Sequence, residues 1–139
     1  MKRNGFTLIE LMLVVVIIAT LAALVVPRFT GRVDQAKISA AKADILANLS
    51  TALDLYYMDN GFYPTTEQGL SALRVQPASS PVPSSWNGPY IKRNPVDPWG
   101  NPYNYISPGI RNTSEYDLFS YGRNGIEGGG DDVVNWELE

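Results

Sequence analysis

The chain opens on a pattern that no later segment repeats. From Leu11 to Val26 the only residues that are not aliphatic are Met12 and Thr20. Counted from Phe6, residues 6–26 form a run of 21, close to the roughly 20 that a helix needs to cross a bilayer. Lys2 and Arg3 precede it, so the positive-inside tendency keeps that end cytoplasmic and puts the remainder beyond the membrane. So long an aliphatic run at the head of a chain is a poor candidate for a buried core helix. After Pro27 the apolar residues space out. Ile38, Ala41, Ile45, Leu49, Leu53 and Tyr56 recur at steps of three and four, which lines them along one helix face. Lys37, Asp44, Asn48, Thr51 and Asp54 fall on the opposite face, and Lys42, beside the stripe, is expected to reach outwards on its long stem. The returning period predicts that Pro27 kinks the helix rather than ending it, and Asn60-Gly61 supplies the stop. One helix from Phe6 to Asp59 would be roughly 80 Å long. A domain of this size cannot bury that length, so the apolar half is expected to protrude into lipid or against other subunits.

From Gly61 onwards proline and glycine punctuate the chain. Residues 66–74 read as a short helix, capped by Thr65 or Thr66 and docked by Leu70 and Leu73. Residues 76–85 read as a loop. Residues 103–106 and 116–121, aromatic-rich and bounded by turn formers, read as short strands, with a last strand over 133–138. The expectation is an α+β fold: a long N-terminal helix packed on a small antiparallel sheet, with a loop-rich C-terminal region. Trp86, Tyr90, Trp99, Tyr103 and Tyr105 are expected to fill that small core rather than to line a binding surface.

Composition narrows the chemistry. The net charge is −3, and removal of Lys2 and Arg3 with the first five residues makes it −5. An acidic chain without a dense basic patch cannot displace counterions from a phosphate backbone, which argues against nucleic acid as a partner. There is no cysteine and no histidine. That removes disulfides, thiol chemistry and the commonest general base and metal ligand, so any metal must be a hard ion held by oxygen. No nucleophile, base and orienting group stand together, and Asp97, between Pro95 and Pro98, reads as a turn residue; an enzyme is not expected.

Glu10 is the exception within the apolar run. A carboxylate there costs on the order of 2.5–3.5 kcal/mol on insertion scales, so it needs a partner or must reach the headgroups. If the chain were cut after Gly5, the new amino terminus on Phe6 could pair with Glu10 of a neighbouring copy.

The string Gly5-Phe6-Thr7-Leu8-Ile9-Glu10 resembles the processing site of type IV pilins and related prepilins. The resemblance implies cleavage between Gly5 and Phe6 by a prepilin peptidase, methylation of Phe6, and a role for Glu10 in assembly. Residues 1–5 would be the leader, 6–27 the transmembrane and assembly helix, and 28–139 a periplasmic domain. Tyr63-Pro-Thr-Thr-Glu-Gln-Gly-Leu70, Trp86-Asn-Gly-Pro-Tyr-Ile91, Pro95-Val-Asp-Pro-Trp-Gly-Asn-Pro-Tyr103 and Tyr116-Asp-Leu-Phe-Ser120 together resemble the major pseudopilin of type II secretion systems. That family implies a pilin-like fold and a subunit anchored in the inner membrane. It polymerises into the periplasmic pseudopilus and drives folded proteins across the outer membrane. Its implied partners are other copies of itself, minor pseudopilins, inner-membrane proteins of the machine, and lipid before assembly. Two rivals are a type IV pilin for adhesion or DNA uptake, which usually carries a disulfide, and a membrane-tethered exoprotein-binding module.

The family also implies one calcium ion per subunit in the loop that reads here Ser120-Tyr-Gly-Arg-Asn-Gly-Ile-Glu-Gly-Gly-Gly-Asp-Asp-Val-Val-Asn-Trp136. Carried over residue by residue, its ligands would be the Tyr121 carbonyl and the side chains of Asn124, Asp131 and Asp132. This loop departs from the family in two ways. Asn124 stands where the family has an acid, and the acidic stretch is shorter. Calcium takes 6–8 oxygens and binds more tightly as ligand charge rises, so weaker binding is expected.

Overall fold

The computed structural model describes residues 5–136, apart from the side chains of residues 26–30. The chain divides into two units between Ala36 and Lys37. Helix α1 (Leu8–Ala43) makes up nearly all of the first unit described and continues into the second. Pro27 does not end it. Its stretch Leu8–Val25 has a mean hydropathy of 2.9, and none of it is buried.

In the second unit a π-helical stretch (Asp44–Leu49) joins α1 to α2 (Ser50–Asn60). The expected stripe is present: Ala41, Ile45, Leu49, Leu53 and Tyr56 are buried, and Ile38 packs against them. The π stretch was not expected, but it has a geometric use. In an α-helix each step of four overshoots a full turn by about 40°. Three such steps, from Ala41 to Leu53, would carry the stripe off the core. A wider π turn between them takes back part of that drift. Gly61 closes α2 in the left-handed region (φ 80°), its N–H donating to the Tyr57 carbonyl at 2.7 Å.

The expected helix over 66–74 is not regular. Thr65 and Gln68 bond each other reciprocally, side chain to backbone N–H, but Gly69 at φ 58°, ψ −168° breaks the run, and only a 3₁₀ turn (Leu70–Leu73) follows. Leu70 and Leu73 are buried as expected. The strands are shorter than their sequence signals: β1 (Asn104–Ile106), β2 (Asp117–Ser120) and β3 (Val133–Val134). They form one antiparallel sheet in the order β1-β2-β3, with Tyr105 opposite Leu118 and Ser120 opposite Val133. Leu138, the far end of the expected last strand, lies outside the described residues.

The core lies where α1, α2 and the sheet meet within this unit. Ile45, Leu53, Tyr56, Leu73 and Leu118 have no measurable exposure. Aromatic rings fill the space between: Tyr105 lies 5.7 Å from Tyr116, which meets Tyr63 edge-on at 4.9 Å. The Tyr105 hydroxyl donates to the Pro64 carbonyl at 2.8 Å, so burying it leaves no orphan. Trp86, Tyr90 and Trp99 pack half-buried on the same core, in line with the structural role read from sequence.

Two carboxylates act as internal braces. Asp97 is buried, and its Oδ1 accepts the N–H groups of Trp99 and Asn101 while Oδ2 accepts the Ser120 hydroxyl at 2.6 Å. It is the turn residue expected, with an added tie to β2. Asp117 is also buried and accepts the backbone N–H groups of Ile110, Arg111 and Asn112 at 2.7–3.2 Å. Burial pushes its carboxyl up from 3.8. The three N–H groups and the Arg111 charge outweigh that and hold it below this value.

Candidate functional site

The N-terminal site begins with Gly5 and Phe6, both exposed, just ahead of α1. Residues 1–4 of the expected leader lie outside the described residues. Thr7 caps the helix. Its hydroxyl accepts the Glu10 N–H at 3.3 Å, and Glu10 Oε2 accepts the Thr7 N–H at 3.2 Å and the Thr7 hydroxyl at 3.3 Å. This reciprocal capping box satisfies two of the donors that every helix start leaves open. Sequence reasoning sought a partner for Glu10 only in a neighbouring copy and missed Thr7. The Thr-x-x-Glu spacing was the available signal. An acid in the first turn also meets the positive end of the helix dipole.

The second site is the loop after β2. Tyr121, Asn124, Asp131 and Asp132, the ligands expected from the resemblance, all lie in this segment. Gly122, Gly125, Gly128, Gly129 and Gly130 all lie at positive φ. Gly122 and Gly129 matter most, because a Cβ on either would collide with Asp131 or with the Asn124 amide. The Tyr121 ring meets Phe119 edge-on at 5.3 Å, and Phe119 meets Trp136 at 5.4 Å.

The polar atoms of this loop are bonded to one another. Asn124 Nδ2 donates to Asp131 Oδ1 at 2.8 Å and to the Gly128 carbonyl at 3.1 Å. The Asn124 N–H donates to Asp131 Oδ2 at 3.0 Å. Asn124 Oδ1, the oxygen that calcium would need, accepts the Ile126 N–H at 2.9 Å. Asp132 Oδ2 accepts the Gly128 N–H at 2.8 Å, while its Oδ1 is buried without a hydrogen-bond partner among the described residues. Asp132 lines a cleft of about 270 Å³ with Phe119, Tyr121, Glu127 and Trp136, and Asp131 is not part of that lining. Asp131 is thus turned to Asn124, and Asp132 to the Gly128 N–H and the cleft. Among the described residues no three acids group as a metal site. As arranged, the donor set does not fit a calcium ion. Of the side-chain oxygens of Asn124, Asp131 and Asp132, only Asp132 Oδ1 is left without a hydrogen bond among the described residues, against the 6–8 oxygens that the ion takes.

A third feature corrects the sequence reading. Asp44, assigned by spacing to the solvent face, is half-buried and accepts the Tyr103 hydroxyl at 2.9 Å and the Asn48 amide at 2.8 Å. It borders a groove of about 800 Å³ with Asn48, Tyr90, Lys92, Arg93 and Val96. Burial, and then the bond to Asp44, raises the Tyr103 phenol above its ordinary value of 10.0, so it stays a donor at neutral pH.

Comparison with known proteins decides the family. Residues 28–136 match the model of type II secretion system protein G, and residues 1–26 match the prokaryotic N-terminal methylation motif. This chain belongs to the type II secretion system protein G family. A relative from Pseudomonas aeruginosa, the type II secretion system core protein G, is 52% identical over 98% of this chain and 96% of its own. That of Aeromonas hydrophila is 50% identical over 99% and 95%. The crystal structure of the major pseudopilin from enterohaemorrhagic Escherichia coli is similar at a TM-score of 0.68 and 41% identity, over 76% of this chain and 87% of that one. The family, like the fold it shares with that pseudopilin, is structural rather than enzymatic. The α+β, pilin-like expectation holds.

Proposed function

We propose that this chain is the major subunit of a type II secretion pseudopilus. A prepilin peptidase cuts it between Gly5 and Phe6, and Phe6 is then methylated. It waits in the inner membrane on residues 6–27 with residues 28–139 in the periplasm, and it polymerises with its own copies and with minor pseudopilins. Growth of that filament moves folded proteins across the outer membrane. The observation that carries the reading is the combination at the head of the chain. A Gly5-Phe6 junction stands directly before Leu8–Val25, an apolar helical stretch with no burial of its own, in a chain whose remainder matches the protein G family. Such a surface calls for lipid first and for other apolar helices afterwards. Glu10 fits both stages. Its capping box holds it while the subunit is alone, and a neighbour's new amine offers it a stronger, charged partner during assembly.

The test is Gly5→Ala in cells whose own copy of the gene has been removed. The expected result is an uncut precursor in the membrane and secreted proteins held in the periplasm. A mature chain beginning at methylated Phe6, with normal secretion, would refute the proposal.

A further inference from the structure

We propose that in this chain the side-chain amide of Asn124 takes the place of the loop's calcium ion, so that residues 121–132 keep their shape without metal. An acid and an amide of the same shape present different atoms to the same neighbours. A carboxylate at position 124 would face the carboxylate of Asp131 and the carbonyl of Gly128. Three oxygens pointing at one spot repel one another and need a cation between them. Asparagine puts an NH₂ group there instead. One of its protons goes to Asp131 Oδ1 and the other to the Gly128 carbonyl, at 2.8 and 3.1 Å. The backbone N–H of the same residue takes the second oxygen of Asp131. One residue therefore satisfies both oxygens of Asp131 and ties the two ends of the glycine-rich segment together.

The surrounding glycines are cut to this arrangement. Gly129 sits at φ 91°, and a Cβ there would come within 2.6 Å of Asn124 Nδ2 and 3.2 Å of Asp131 Oδ1. The backbone is thus closed onto the amide itself. Gly122 at φ 68° lets the strand end pass against Asp131 in the same way. A segment so rich in glycine loses much conformational entropy on ordering, and the chain has no cysteine to staple it. Five hydrogen bonds between Asn124 or Asp132 and the loop supply the closure. The acidic stretch is only Asp131 and Asp132, which is what a loop closed by an amide needs.

The test uses the full chain in detergent, with calcium itself and the calcium-sized ion terbium(III) as probes. For the natural chain the melting temperature in chelator and at about 1 mM calcium is expected to agree within about 1 °C, and terbium emission sensitised by Tyr121 or Trp136 is expected to be absent. Asn124→Asp restores the carboxylate. It should melt lower in chelator, recover by about 5 °C or more with calcium, and bind terbium. Should Asn124→Asp not fold, Asn124→Ala decides. The loop should be cut faster by protease, and calcium should not protect it. One calcium bound per natural chain, with a rise in melting temperature as large as that of Asn124→Asp, would overturn the proposal, as would calcium protection of Asn124→Ala. That result would leave processing at Gly5 and the secretion role untouched, because neither depends on how the loop is closed.

Discussion

Asp117→Asn is the sharpest single probe of how the C-terminal unit holds together. The carboxylate is 2% exposed and is the sole side-chain acceptor seen for three backbone N–H groups, those of Ile110, Arg111 and Asn112. An asparagine of the same shape has one oxygen and one NH₂ group. Its oxygen can keep Asn112 and share Arg111, but its NH₂ then faces the N–H of Ile110, donor against donor. A stranded buried donor costs about 1–3 kcal/mol, and the lost charge assistance adds to it, so the substitution should cost about 3 kcal/mol. For a unit of roughly 100 residues that is a fall in melting temperature of roughly 12–24 °C. Near-ultraviolet circular dichroism of the detergent-solubilised chain reads it directly, since Tyr105 and Tyr116, whose rings pack 5.7 Å apart, flank this turn in sequence. The pH dependence adds a second reading. The folded carboxyl lies below 3.8, so its stabilising contribution is complete above that value and is lost as pH falls through the folded value. Natural and substituted chains should therefore differ fully at neutral pH and converge in acid. A cost under about 1 kcal/mol at pH 7, or a gap that widens below pH 3.8, would refute the account of this brace.

Two further outcomes follow from the same geometry. Leu118→Ala empties the fully buried centre of the sheet opposite Tyr105 and should cost about 2–5 kcal/mol in chemical denaturation. Tyr103→Phe removes one hydrogen bond to a half-buried Asp44 that keeps its Asn48 partner, so the loss should be only about 1 kcal/mol, with secretion unchanged.

Much of the architecture was legible because it rests on period and composition. The aliphatic head needs only its length, and the stripe from Ile38 to Tyr56 needs only its spacing. The strands were legible as places but not as lengths. A strand ends where its partner ends, and residues 116–121 contain nothing that says only Asp117–Ser120 will find partners. The helix expected over 66–74 failed at Gly69, whose conformation is an extended left-side one that ends a helix from within. Asp44 was misplaced because a helical wheel knows nothing of Tyr103, 59 residues away. Thr7 was legible in the Thr-x-x-Glu spacing, which marks a helix start whatever charge Glu10 carries. The expected loop ligands share one segment, but their polar atoms are spent on one another. What the sequence could not display was the rotation of the Asn124 amide, and that rotation decides whether the loop offers oxygens or protons.

The π-helical stretch has a consequence for descent. Such a turn is an α-helix carrying one surplus residue. Leu46, Ala47 and Asn48 in it are exposed, while Ile45 and Leu49 on either side are buried. Loss of one exposed residue here would return the helix to regular form, with Ile45 and Leu49 one α-helical turn apart on the core face. The π stretch is thus a tolerant joint, where a lineage can shorten by a single codon and still present the same apolar face to the core.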